Sequence, residues 1–159
     1  GYFPFGAVMI ADHVVEVFEG DTEGKAAIGH GYTYSGHPVG AAAAIACVTE
    51  TLRLNVKDNA AALGQQLFEG LQKLYDDFDV IGDVRGGHGL MCALELVSER
   101  ATKKPIDKAT PVKLQKAAYE SGAMIRVSGP NVILSPPLVL TAEDVDTILA
   151  ALRSGFQSL

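Results

Sequence analysis

Residues Gly31-Tyr32-Thr33-Tyr34-Ser35-Gly36-His37-Pro38 gather groups that could bind an anion. Thr33 and Ser35 bring hydroxyl donors, and glycine lets the backbone approach a ligand closely. Pro38 suits the first turn of a helix, where its missing N–H costs nothing. The N–H groups and dipole at such a helix start favour a phosphate or a carboxylate. The same run also reads as a capped loop-to-helix turn, in which these side chains serve the backbone rather than a ligand.

Arg126, read on its own, is an ordinary arginine on a surface strand, although a planar guanidinium in general suits bidentate recognition of a carboxylate. Tyr2 and Phe3 sit beside Pro4 and read on their own as packing next to a proline turn. His13, His30, His37 and His88 lack metal-ligand spacing, and with the isolated cysteines they make no zinc site. His37 reads as a helix cap rather than a catalytic base. Cys47 and Cys92 lie far apart without a CxxC pattern, so buried thiols in a reduced, cytoplasmic protein are expected.

Those residues need elements to position them. Residues 7–11 form a short apolar run, expected as a buried strand, and a short helix follows over 12–18. Residues 19–36 are rich in Gly, Thr and Tyr, and a loop of that length in a compact domain is usually functional. From His37-Pro38 an alanine-rich helix runs to Leu54; it is apolar on nearly every face, so burial is expected. Asn55 with Asp58 can cap the next helix, whose stripe is Leu63, Leu67, Leu71 and Leu74. The seam near Asn55 is the candidate domain boundary.

Beyond it, strands and helices alternate. Strands are expected over 80–85 and 90–97, the second placing Leu90, Cys92, Leu94 and Leu96 on one face. Residues 98–109 read as a charged surface loop, and Thr110-Pro111 as the start of a helix ending at Gly122. Ser128-Gly129-Pro130-Asn131 between two apolar runs signals a hairpin. Thr141 with Asp144 caps a last helix with Val145, Ile148, Leu149 and Leu152 on its apolar face. These elements make an α+β layer with a largely antiparallel sheet.

The balance of the 159 residues is globular, with 48% hydrophobic and 20% charged side chains. A net charge of −6 argues against nucleic acid or an anionic membrane as partner. The longest apolar run, residues 39–48, is half the roughly twenty residues of a membrane span. The start at Gly1, inside an apolar segment, reads as a cut rather than a natural beginning.

Four stretches in order carry a resemblance. They are Gly1-Tyr2-Phe3-Pro4-Phe5-Gly6-Ala7-Val8-Met9-Ile10, then residues 30–40, then Asp83-Val84-Arg85-Gly86-Gly87-His88-Gly89-Leu90-Met91 running on to Glu95-Leu96-Val97, and Ile125-Arg126 followed by Ser135-Pro136-Pro137-Leu138. Together they resemble the C-terminal part of class III (fold type I) pyridoxal-phosphate aminotransferases of the ω-amino-acid:pyruvate type. The resemblance implies an α/β fold type I architecture. Residues 1–54 would be the end of the large cofactor domain, and residues 55–159 an α+β small domain with a mostly antiparallel sheet.

It also implies a role for each candidate. Thr33 would bind the phosphate of pyridoxal 5'-phosphate across the interface of a homodimer or larger homo-oligomer, with Tyr32 close by. Tyr2 and Phe3 would line the substrate pocket. Arg126 would be the mobile arginine that pairs with a substrate carboxylate. The complete enzyme would move an amino group from an amine or ω-amino acid to a keto acid such as pyruvate. The lysine that holds the cofactor would lie just upstream of Gly1, so no catalytic residue is expected within these residues and the chain alone is expected to be inactive. Two other readings stay open: a non-catalytic fragment or interaction module, and a related enzyme of the same fold such as an aminomutase or decarboxylase.

Overall fold

The computed structural model describes residues 2–21, 23–26 and 29–159. Gly1 of the expected opening turn, and Thr22, Ala27 and Ile28 of the expected long loop, lie outside the described residues. The chain divides into two compact units, Gly1–Arg53 and Leu54–Leu159.

The first unit holds α1 (Asp12–Glu19) and α2 (Pro38–Arg53). The strand expected over residues 7–11 is not formed; those residues are exposed. A strand must pair its backbone N–H and C=O groups, and no other strand exists among the described residues of this unit. The expected burial of α2 is also not met. Only Gly40 is buried in it, while Val39, Ile45, Val48 and Leu52 are exposed. Two helices without a sheet give an all-round apolar helix no layer to bury it.

The second unit has a continuous core. Its elements are α3 (Val56–Asp77), β1 (Ile81–Arg85), β2 (Cys92–Glu99), β3 (Lys104–Pro105), α4 (Ala109–Glu120), β4 (Arg126–Ser128), β5 (Asn131–Leu134) and α5 (Ala142–Gln157). The sheet order is β1-β2-β5-β4, with β3 also on β2, and every pair is antiparallel. One face of the sheet presents Leu94, Leu96, Val132 and Leu134 to the helices. There they meet Leu67, Leu71 and Leu74 of α3, Leu114 and Ala118 of α4, and Val145, Leu152 and Phe156 of α5. Full burial of each such leucine stabilises the unit by about 1.5–3 kcal/mol.

Local chemistry sets the element ends. At α5, Thr141 and Asp144 form the expected capping box. α4 starts at Ala109, just before the expected Thr110-Pro111, and Asp107 caps it: its Oδ1 accepts from the N–H groups of Ala109 at 2.8 Å and Thr110 at 3.0 Å. Carboxylates are good caps because they satisfy orphan donors and oppose the helix dipole. At α3, Asn55 sits in the left-handed region at φ 47 and makes no side-chain bond to the backbone. Its amide instead donates to Asp58 at 2.9 Å.

The stretch 98–109 is more than a surface loop. It contributes β3. Its Arg100 folds back half-buried and donates to the carbonyls of Tyr75 (2.6 Å), Phe78 (2.8 Å) and Ile81 (2.9 Å). The guanidinium lies 3.9 Å from the centre of the Tyr75 ring. One side chain thus satisfies the carbonyls left over where α3 ends and β1 begins. No described helix is long and apolar enough to cross a membrane.

Candidate functional site

In the first unit, the turn before α2 is built by local hydrogen bonds. Ser35 N–H donates to the Tyr32 carbonyl at 2.9 Å, and His37 N–H to the Tyr34 carbonyl at 3.2 Å. The Ser35 hydroxyl accepts from Tyr32 N–H at 3.0 Å, so Ser35 serves the turn. Gly36 completes it at φ 69, a conformation that a side chain would strain. His37 caps the helix: its Nδ1 accepts from Gly40 N–H at 3.3 Å, and its carbonyl from Ala41 N–H at 3.0 Å. With Pro38 lacking an N–H, the start of α2 offers an anion less than the sequence implied.

What the turn leaves available is side chain and loop. Thr33 is exposed, and among the described residues its hydroxyl has no hydrogen-bond partner. Tyr32 is also exposed; its phenol lies 2.9 Å from His30 Nε2, with the two rings edge to face at 4.9 Å. A Cβ at Gly29, Gly31 or Gly36 would meet nothing within 4 Å, so the backbone around Thr33 is open to approach. A hydroxyl donor on an open glycine turn fits a phosphate.

Phe3 packs beneath this turn. Its ring stacks on His37 at 5.2 Å, and the Tyr34 ring lies tilted at 5.7 Å from the same imidazole. A Cβ on Gly40 would stand 2.7 Å from the Phe3 ring, so the glycine admits the aromatic. Tyr2 is fully exposed and takes no part in that stack. The first unit therefore brings Phe3, Tyr32 and Thr33 to one turn and leaves Tyr2 free.

Arg126 lies in the second unit, at the start of β4, opposite Ile133 in β5. It is exposed and forms no ion pair among the described residues. Beside it opens a cleft of about 750 Å³ at the β4 edge, between the start of α5 and the end of α4. Ile125 and Arg126 share its lining with Ser135, Pro136 and Pro137. Two stretches of one sequence motif thus meet in one cavity. Gln115, Met124 and Thr147 also line it, and no spacing in the sequence marks them.

The acid in this cleft is already engaged. Bonds from the Thr141 backbone N–H and then its hydroxyl hold the Asp144 carboxyl below the usual 3.8. Asp144 is a cap, not a partner for Arg126. Burial pushes the Cys92 thiol up, against a weaker pull from the Gly87 backbone, so Cys92 is a core side chain and no nucleophile. No cluster of three or more metal-ligating side chains occurs among the described residues.

Comparison with known proteins agrees along the whole chain. Residues 1–155 match the family described as aminotransferase class-III. The chain is 37% identical over 162 residues to an uncharacterized aminotransferase, y4uB, of Sinorhizobium fredii, covering 99% of this chain and 34% of that protein. It is 38% identical to the diaminobutyrate–2-oxoglutarate transaminase of Halomonas elongata, covering 94% of this chain and 32% of that one. Among solved structures, an amine transaminase from an uncultivated Pseudomonas species, in its PLP-bound form, superposes with a TM-score of 0.84. That match has 39% identity and covers 92% of this chain and 33% of the other. The fold is that of these transaminases, the type I fold implied by the sequence. The chain spans about a third of the length of the relatives it matches.

Proposed function

The chain belongs to the class-III aminotransferases, and from that premise we propose that it is the C-terminal part of a pyridoxal-phosphate enzyme that moves an amino group from an amine or ω-amino acid to a keto acid such as pyruvate. Gly1–Arg53 would belong to the large cofactor domain and Leu54–Leu159 would be the small domain. The cofactor, when bound, supplies the electron sink for breaking the bond next to the amino nitrogen.

This chain's own residues bind and orient. Thr33 would donate its exposed hydroxyl to the cofactor phosphate, a charge-assisted bond. The Tyr32–His30 pair beside it would fix the wall of that site. Thr33 would serve the neighbouring protomer of a homodimer. The exposed apolar side chains of α2, together with Tyr2 and Phe5, support such an interface. Tyr2 and Phe3 would line the substrate pocket there, Phe3 held in place by His37.

Arg126 would pair with the substrate carboxylate. The observation that carries this reading is its exposure without an ion-pair partner among the described residues, at the cleft it shares with Ser135 and Pro136. A guanidinium without a partner can take a substrate carboxylate without first breaking a bond within the protein. The test is an amine-acceptor assay on the complete enzyme, with pyruvate and 2-oxoglutarate compared as acceptors. Transfer to pyruvate with the higher kcat/KM is expected. Clear preference for 2-oxoglutarate would overturn the pyruvate assignment, and absence of transfer to any keto acid would overturn the aminotransferase reading.

A further inference from the structure

The face of the sheet turned away from the helices carries two rows of side chains. One row runs Arg85, Ala93, Ile133 and Arg126 across β1, β2, β5 and β4. The next runs Asp83, Glu95, Asn131 and Ser128 across the same strands. Arg85 reaches across β2 and donates from Nη2 to Asn131 Oδ1 at 2.7 Å. Its guanidinium also stands 3.5 Å from the Asp83 carboxylate and 3.7 Å from that of Glu95. Asn131 then donates from Nδ2 to the Ser128 carbonyl at 3.3 Å. Both ends of the Asn131 amide are committed, its oxygen to Arg85 and its nitrogen to the turn.

That turn links β4 to β5 and so sets where Arg126 stands. β4 is a three-residue edge strand, held in the sheet by β5 alone. Gly129 at φ 58 and Pro130 close the loop, and the Pro130 carbonyl accepts from Leu96 N–H at 2.9 Å. A short edge strand opens easily. Each open state removes Arg126 from its place, and apparent affinity falls with the fraction of competent protein. The Arg85–Asn131–Ser128 chain closes the hairpin on its outer face, where the core does not reach. It also occupies Asp83 and Glu95, the acids on the same face as Arg126.

We propose that Arg85 is a positioning residue: through Asn131 it fixes the β4–β5 hairpin on which Arg126 is presented to a substrate carboxylate. The proposal rests on the carboxylate reading of Arg126, and its test separates the two. In the complete enzyme, Arg85→Met, Asn131→Ala and their double variant are compared with Arg126→Ala. Four quantities are read: KM for the keto acid, kcat at saturation, the half-reaction rate with an amine lacking a carboxylate, and hydrogen exchange across residues 126–134.

Each single variant is expected to raise KM roughly three- to tenfold. Both should leave kcat and the carboxylate-free half-reaction at wild type, and both should speed exchange in the hairpin. The double variant should lose little beyond the worse single, because both act through one bond. Additive losses, equal losses in both half-reactions, or unchanged exchange in the hairpin would each overturn the proposal. If Arg126→Ala leaves KM unchanged, the carboxylate reading falls; faster exchange in Arg85→Met then still supports the pinning of the hairpin, and unchanged exchange overturns it. Asn131→Asp, which keeps the contact to Arg85 and loses the donor to Ser128, replaces Asn131→Ala should that variant fail to fold.

Discussion

Gly64 of α3 lies against the backbone of Gly89: a Cβ on Gly64 would stand 2.3 Å from the Gly89 carbonyl oxygen and 2.4 Å from its carbonyl carbon. Backbone cannot swing aside as a side-chain tip can, so the helix and the β1–β2 link depend on a bare α carbon here. Gly64→Ala is expected to destabilise the unit by about 1–3 kcal/mol. That holds although alanine improves helix propensity by about 1 kcal/mol over glycine. Denaturant unfolding of the chain checks it, and a midpoint at or above wild type would refute the close approach. Gly89→Ala should also destabilise, for a different reason. Nothing lies within 4 Å of its Cβ direction, but φ is +82.

How far these features could be read from the sequence depends on whether their partners are local. The capping box Thr141–Asp144, the leucine stripe of α3 and the Ser128–Asn131 hairpin turn are set by residues a turn apart, and the structure forms all three. The Gly64–Gly89 contact and the folding back of Arg100 onto Tyr75, Phe78 and Ile81 join distant residues, and no spacing announces them. The run at residues 7–11 looks like a strand because period and composition are local, but pairing is not. At the candidate site, the turn at Thr33 reads from the sequence as either an anion site or a plain cap, and Arg126 is singled out only by the resemblance. No spacing marks the cleft walls at Gln115, Met124 and Thr147, because tertiary packing alone brings them together.

Asp144 makes the cap of α5 sensitive to acid. Thr141 holds its carboxyl below the usual 3.8 in the folded chain. A depressed folded value means that the box adds stability above the unfolded value, and that this is lost as pH falls through the folded one. Asp144→Asn should therefore lower the unfolding midpoint at neutral pH. The gap from wild type should close as pH falls below 3.8. A gap that stays constant with pH would mean that the cap acts through shape and not charge. Asp107, lowered chiefly by Thr110, adds its own acid limb, so the comparison is made within one Asp107 background.

Thr33 tests the phosphate site without any turnover. In the complete enzyme, Thr33→Ala should weaken cofactor retention by about 1.5–3 kcal/mol, the range for a hydrogen bond to a charged group. Thr33→Ser should restore most of it, because the hydroxyl is what the phosphate needs. Equilibrium dialysis of the cofactor measures both. Unchanged retention in the alanine variant would leave Thr33 as an ordinary turn residue. Ser35→Ala is the control. Its hydroxyl oxygen accepts from Tyr32 N–H and holds the turn, so the substitution should loosen the turn itself as well as any contact with a phosphate.

On the proposed reading, Arg126 would separate two kinds of substrate, a keto acid and a simple amine. A keto acid needs its carboxylate paired, whereas a simple amine needs the guanidinium out of the way. Arg126 stands at the start of an edge strand, exposed, on the rim of a cleft walled by Ser135, Pro136 and Pro137. Asp144, the one acid lining that cleft among the described residues, accepts from the Thr141 N–H at 2.7 Å and hydroxyl at 2.8 Å. Arg126→Ala should therefore raise the KM for pyruvate strongly, since a lost bidentate contact to a carboxylate costs about 2–4 kcal/mol when desolvated. The half-reaction with an amine lacking a carboxylate should change little. Arg126→Lys should recover only part of the loss, because an ammonium supplies charge without the planar fork. Single-turnover kinetics of each half-reaction, in wild type and variants, decide the matter. Equal losses in both would assign Arg126 to the fold or the cofactor, and no loss in either would make it a surface arginine, with the carboxylate bound by residues elsewhere in the complete enzyme.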